Sequence, residues 1–307
     1  MKKITFILLI LIFTNSILGQ ITKTKIVGSK EEIYETPYDS LRNFLGADAF
    51  QYKGQDLYLI EKSENSRKFG YDNFVLDYQY NGYDKKSNTY KCCDSYNSKY
   101  DELKGKYFSV KAIHKVPVYF GRFYLELEEK ETKDKIYYKY DGLNENEFPF
   151  LVVGFYEKLK RKLVGNEFVF KDRFLTNIET GERITINIKE KWKCTDLTIE
   201  EKNYTLVAIL QNSSGVKTSC GYDIVTGSNF GFKAKEAEKF KIQFGAVNFE
   251  AIMKREVIIG MTKEMCKLSW GEPNDINQTI SSGRNSEQWV YSDNYLYFVG
   301  NKLTTIQ

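Results

Sequence analysis

The chain has 307 residues, 42% of them hydrophobic and 15% aromatic, which is ample for packed cores and more than one domain. Forty-five Lys and Arg stand against 41 Asp and Glu, a formal charge of +4 with both signs interleaved. No basic block stands out, so nucleic acid is not an expected partner.

The chain opens with "MKKITFILLILIFTNSILGQ". Lys2 and Lys3 precede an apolar run at residues 4–13, too short for the ~20 residues that span a bilayer. Gly19 offers a small residue for cleavage before Gln20, although Ile17 makes the site imperfect. The expectation is a signal peptide over 1–19 and an exported, periplasmic or secreted product. No Cys lies in or just after this segment, so no lipid anchor of the bacterial lipoprotein type is expected, and no later run is apolar enough to span. Loss of Lys2 and Lys3 lowers the formal charge from +4 to +2.

Residues 20–50 read as a leader with one short helix, "YDSLRNFLG", closed by Gly46. Four stretches then resemble one another: "YKGQDLYLI" from Tyr52, "LKGKYFSVKAI" from Leu103, "LVGNEFVF" from Leu163 and "IKEKWKCTDLTI" from Ile188. Each reads as a turn leading into a strand of period two. Two of them continue alike, through a polar turn ("KETKD", "QNSSG") to a returning strand that ends in Tyr-Asp. This predicts an internal duplication of a three-stranded antiparallel meander within residues 51–230, packed as tandem barrel- or sandwich-like modules. "GFYEKLKRKLVG" between them suits a connecting helix or hairpin.

Near Gly231 the period becomes helical in "FKAKEAEKFKIQFG" and "NFEAIMKREVIIG". In "IGMTKEMCKLSWGEPNDI", Thr262 is a good N-cap, Met261 and Cys266 have the spacing of a hydrophobic staple, and Gly271 and Pro273 end the helix. Four strand-like runs follow, with Gly300-Asn301 suited to a tight hairpin. The expected fold class is thus mainly β with a C-terminal α+β domain over 231–307, a helix-plus-three/four-stranded meander in two layers.

The spacing Gly260-Met261-Thr262, seven residues, Gly271-x-Pro273 resembles the SmpA/OmlA (BamE-like) family. So do "EQWVY", "YLYF" and "GNKLTTI", with Trp289, Tyr291, Tyr295 and Phe298 as the aromatic markers. The resemblance covers about the last fifty residues. It implies a role near outer-membrane protein assembly or maintenance, whereas the long β-rich region and the missing lipobox Cys depart from the family. The layout also looks like exported proteins of Bacteroidetes-type bacteria. The motif residues read as structural, and partner contacts are expected on the exposed sheet face or loops, near Arg284 or Tyr295.

Five cysteines remain: Cys92, Cys93, Cys194, Cys220 and Cys266. Adjacent cysteines rarely bond each other, and Cys194 with Cys220 is one open pairing. The sole histidine, His114, reads as a polar residue at a strand end. No G-x-S-x-G, H-E-x-x-H or Walker-type loop occurs, so no enzyme, cofactor, metal or catalytic residue is expected. The leading reading is an exported binding or scaffold protein whose partners are envelope proteins. The alternatives are a glycan or peptidoglycan binder using exposed tyrosines, such as those of "LDYQYNGYDKKSNTY" at residues 76–90, and an inhibitor of another envelope enzyme.

Overall fold

Alternating side chains drive this chain into antiparallel sheets. The computed structural model describes residues 38–115, 123–171, 173–281 and 284–307. The expected signal peptide, and the expected leader as far as residue 37, lie outside them. The stretch expected to form a helix at residues 38–46 is instead a series of turns; the first helical residues are one 3-10 turn, Ala49–Tyr52. Leu41, Phe44 and Leu45 keep a helical spacing, but Leu41 is 63% exposed and of these only Leu45 is buried, so no apolar face is docked that would hold an isolated turn there.

Chain order then gives β1 (Asp56–Leu59), the single turn α1 (Glu64–Arg67), β2 (Phe74–Val75), β3 (Cys92–Asp94), β4 (Asn97–Ser98) and the single turn α2 (Tyr100–Leu103). The long strands β5 (Tyr107–Lys115), β6 (Phe123–Glu129) and β7 (Lys135–Tyr140) follow, and β8 (Phe150–Val152) runs straight into α3 (Val153–Leu163). Next come β9 (Glu167–Phe170), the hairpin β10 (Phe174–Thr176) and β11 (Arg183–Thr185), then β12 (Trp192–Ile199), β13 (Leu206–Asn212) and β14 (Lys217–Gly221). After α4 (Tyr222–Thr226), β15 (Gly231–Lys233) runs straight into α5 (Ala234–Phe244). The chain ends with α6 (Ala246–Met253), α7 (Lys263–Trp270), β16 (Asp275–Ser281), β17 (Arg284–Val290), β18 (Tyr295–Val299) and β19 (Lys302–Ile306). No described helix is long and apolar enough to cross a membrane.

The first sheet has the order β2-β7-β6-β5-β1-β8 and the second β14-β13-β12-β9-β15. Apart from β2, these are one topology used twice, and the registers superpose residue on residue. Leu57 faces Phe108 as Phe168 faces Trp192. A β-bulge interrupts β5 between Val110 and Ala112, and one interrupts β12 between Cys194 and Asp196, the same place in that frame. Leu127 pairs with Val110 and Ile136, as Leu210 pairs with Cys194 and Thr218. The two Tyr-Asp pairs, Tyr140-Asp141 and Tyr222-Asp223, stand at equivalent positions, and α3 and α5 are both 11 residues long. Even the entry turns match: Gly54 N–H donates to Val110 O at 2.9 Å and Gly165 N–H to Cys194 O at 2.8 Å, with φ +80° and +85°. Those φ values favour glycine at both sites.

The buried volumes are traded rather than copied. The first sheet buries Leu57, Leu59, Phe108, Leu125 and Tyr138; the equivalent positions of the second hold Phe168, Phe170, Trp192, Ala208 and Cys220. Large residues on three positions are balanced by small ones on two, which keeps packing density in a shared core. Of the barrel- or sandwich-like modules expected, no closed barrel forms: both sheets are open, and each ends on a short strand that turns at once into a helix, so the edges never meet.

A second core gathers Phe232, Ala251, Ile252, Met253, Met261, Cys266, Trp289, Leu296 and Phe298, with Val169 reaching in from β9. The helical region expected from Phe232 onward begins two residues later, because Gly231, Phe232 and Lys233 pair with Phe170, Val169 and Phe168 as the edge of the second sheet. A Cβ on Gly231 would stand 2.4 Å from the Val169 carbonyl oxygen, so that strand approaches too closely for another residue. Lys171, fully buried, donates from Nζ to the carbonyl of Leu268 at the end of α7. Burial, and then the nearby Arg255, push its ammonium down to about 8.

The hairpin turns of the two meanders are held at equivalent positions by side chains. Asn212 Oδ1 accepts from Val216 N–H at 2.8 Å; Glu129 Oε1 and Oε2 accept from Glu131 N–H at 3.0 Å and Thr132 N–H at 2.7 Å. Burial alone would raise the Glu129 carboxyl, but the hydrogen bonds from Thr132 and Glu131, with Lys106 beside them, outweigh it and hold it at about 2. A depressed folded-state value means stability that is present above the ordinary carboxylate range and lost as pH falls toward 2. Glu129→Gln is therefore expected to lower the melting temperature at neutral pH and to flatten its decline between pH 4.5 and about 2, read from thermal melts across that range.

Candidate functional site

The repeated frame makes it possible to ask where the two copies differ. On the first sheet, Tyr58 of β1 lies directly opposite Tyr107 of β5, with ring centroids 5.0 Å apart. Tyr156 projects from the first turns of α3 and donates from its hydroxyl to Leu197 O at 2.8 Å. With Leu151, Val153, Glu157, Thr198 and Ile199 these rings line a groove of about 450 Å³ at the junction with β12. Tyr107 is 46% exposed, so a ring face and a hydroxyl are presented to solvent. Burial, then Glu61 and the neighbouring tyrosines, raise the Tyr58 phenol, which stays a hydrogen-bond donor. Glu157 adds a carboxylate at the rim, paired with Arg161 at 3.7 Å.

The equivalent positions in the second copy are Val169, Lys191 and Ala237. There the groove, about 370 Å³, is overlaid by α6 through Ala246, Phe249, Glu250 and Met253. Three tyrosines in one copy thus stand against a valine, a lysine and an alanine in the other. The scaffold does not require aromatic residues at these places.

The motif residues named from the sequence form the frame of the second core instead. Thr262 Oγ1 accepts from Met265 N–H at 3.3 Å, capping α7, while Met261 and Cys266 are both buried. Gly260 N–H donates to Leu303 O, and Leu303 N–H to Met261 O, each at 2.8 Å, so this stretch lies along β19. Gly271 closes α7 with φ +90°, and its carbonyl accepts from the Tyr291 hydroxyl at 3.0 Å. Pro273 follows, half-buried, in the link to β16. Trp289 and Phe298 are buried with rings 4.5 Å apart, and Trp289 Nε1 donates to Glu287 at 2.9 Å. Tyr295 is on the opposite, exposed face; the Arg284 side chain lies outside the described residues.

The tyrosines of residues 76–90 do not form one platform. Tyr90 is buried, with its hydroxyl donating to Asp134 at 2.6 Å, while Tyr83 is fully exposed. Tyr80 bonds within its own loop, and Tyr78 stacks on His114 at 4.4 Å. His114 Nε2 is 2.9 Å from Glu126, on the outer face of the first sheet beside Tyr124 and Tyr137. Among the described residues, no three of His, Cys, Asp and Glu gather as a metal site.

The cysteine pairing that the sequence leaves open does not form. Cys194 and Cys220 lie on β12 and β14 with β13 between them, and they pair with Leu210 and Ala208, two residues apart along it, so sheet spacing puts them more than about 10 Å apart, beyond disulfide reach. Cys92 lies opposite Ser98 in β3, and Cys93 falls in the bulge between Cys92 and Asp94. No family model, curated protein or solved structure matches the chain.

Sequence reasoning passed over Tyr58, Tyr107 and Tyr156. Aligning "YKGQDLYLI" with "LVGNEFVF" sets Tyr58 against Val169, which is the signal that would have found the first of them. Burial pushes the three free thiols up, Cys194 to about 11 and Cys220 and Cys266 to about 12. Mass-resolved alkylation of the native protein at pH 8 is expected to leave all three unmodified and to label them only in denaturant.

Proposed function

We propose that the chain is a non-enzymatic binding protein of the bacterial cell envelope that seats a sugar ring of a glycan or of peptidoglycan in the Tyr58–Tyr107–Tyr156 groove. The observation that carries this reading is the contrast between copies: the tyrosines occur where the sister scaffold does without them. Sugar rings present C–H faces and hydroxyls, and a phenol offers an apolar face beside a polar tip. Glu157 supplies an acceptor for a sugar hydroxyl. The absence of catalysis is part of the proposal, supported by buried, raised thiols and by a histidine held by Glu126. Export is proposed from the opening segment. A SmpA/OmlA-like C-terminal domain is proposed from the Gly260-Met261-Thr262 and Gly271-x-Pro273 frame and the meander after it.

A second reading, a scaffold for envelope proteins, is favoured by the outer surface of α5 and α6. Ile242 is 84% exposed and Val247 74% exposed there. Exposed aliphatic residues suit a protein partner better than a sugar.

Glycan arrays and peptidoglycan pull-down with the full chain separate the two. Tyr107→Ala and Tyr156→Ala are each expected to weaken glycan binding about ten-fold, with Tyr156→Phe nearer the parent, since one aromatic contact is worth on the order of 1 kcal/mol. Binding unchanged in both alanine variants, at an unchanged melting temperature, would remove the groove as the site.

A further inference from the structure

The C-terminal sheet has the order β16-β17-β18-β19, and its two edges are treated differently. The β19 edge is covered by the chain entering α7, through the Gly260, Met261 and Leu303 hydrogen bonds and a bridge between Thr262 and Lys302. The β16 edge is bare among the described residues: its partner is β17 alone. Proteins usually blunt such edges with lysine, proline, a bulge or brevity. β16, "DINQTIS", has none of these: it runs seven residues in unbroken register with β17.

Its side chains are placed as if a layer were missing. Ile276 pairs with Trp289, Gln278 with Glu287 and Ile280 with Asn285, so all three stand on the core-facing side of the sheet. Yet Ile276 is 39% and Ile280 78% exposed, because the helices stop short of this strand.

The free backbone groups can be assigned as well. The Ile276 N–H takes Oδ1 of Asp275 at 2.8 Å, on the side away from β17. Alternation then turns the N–H and C=O groups of Gln278 and Ile280 outward too. The three outward residues are symmetric about Gln278.

We propose that β16 pairs antiparallel with β16 of a second copy of this chain, across a two-fold axis at Gln278. In that register Ile276 meets Ile280 of the second copy, Asn277 meets Thr279 and Gln278 meets itself. Apolar faces apolar and amide faces amide or hydroxyl. The strand's one charge, Asp275, falls opposite Ser281, so like charges do not meet. Three narrow pairs form, each exchanging two backbone hydrogen bonds. A slip by one pair would set Ile276 against Gln278 and leave Ile280 without a partner, so the palindrome selects a single register. The Asp275 carboxylate releases the Ile276 N–H as the pairing forms. The interface is isologous and closes at two copies, joining two four-stranded sheets into one of eight.

Sedimentation equilibrium on the full chain is expected to show a monomer–dimer equilibrium. Gln278→Pro removes an outward N–H and leaves the β17 ladder intact, so it is expected to weaken the dimer about ten-fold or more at an unchanged melting temperature. Gln278→Cys sets two thiols on the axis with Cα atoms about 5.5 Å apart, within disulfide range. Mild oxidation is expected to give a covalent dimer that the parent and Asn277→Cys do not form. A parent that stays monomeric together with a Gln278→Cys that does not crosslink overturns the proposal. So does a dimer that a folded Gln278→Pro leaves intact. If Gln278→Pro melts early, the crosslink decides alone.

Discussion

Every helix that leaves a sheet here has a second side to hide. β8 turns directly into α3 and β15 into α5, so each helix packs first on the strands that launched it. Eleven residues carry too little intrinsic helical stability to stand free. The remaining side must be covered by whatever comes next in the chain. For α3 the cover is β12 of the second copy, fastened by the Tyr156 hydroxyl on Leu197 O and by Lys160 on Asp196 at 2.8 Å. For α5 it is α6, with Phe232, Phe240 and Phe249 forming the aromatic contact. This is the logic of stacked repeats, where each unit buries its neighbour and the last needs a cap.

That constraint gives the C-terminal helices their purpose. A third copy would have supplied another sheet, whereas this chain supplies α6 and α7 on a meander. The strong cap at Thr262 and stop at Gly271 follow from the tightness of the job. α7 is eight residues long and must begin and end where β19 and Tyr291 require it. Lys171, donating to the carbonyl of Leu268, ties the end of α7 back to β9 of the second sheet.

Strands, hairpins and the helical shift were legible in the sequence because their causes are local. Alternation marks β1, β5 and β12, and Gly54 and Gly165 mark the entries to β1 and β9. What depends on distant partners was not legible. The pairing of Gly231–Lys233 with β9 has no periodic signal in three residues, and the region therefore read as helix. The bulge at Cys93 is a property of the β3–β4 pairing. The tyrosine groove was hidden for the same reason: Tyr58, Tyr107 and Tyr156 are separated by 49 residues in each interval and converge only through the β1–β5 register and the start of α3.

Duplication also explains how an open groove can arise without loss of the fold. The pocket beside each launched helix is a by-product of how strand and helix diverge, and it occurs in both copies. In the second copy it is overlaid by Phe249 and Met253, so its lining is constrained by core packing. In the first copy the cover comes from the end of β12, where Thr198 and Ile199 leave the rim open. Tyr58 and Tyr156 still pack against the core from one side, whereas Tyr107 is free of the packing that fixes Val169 and Ala237 and can be chosen for what it touches outside the protein. Tyr107 meets that description most directly: it sits at an exposed end of β5, contributes its ring to Tyr58, and is replaced at the equivalent position by Lys191, just before β12 begins, with the strand order unchanged. Residues that differ between two copies of one frame, in the copy whose groove stays open, are where a function added to the scaffold would be written.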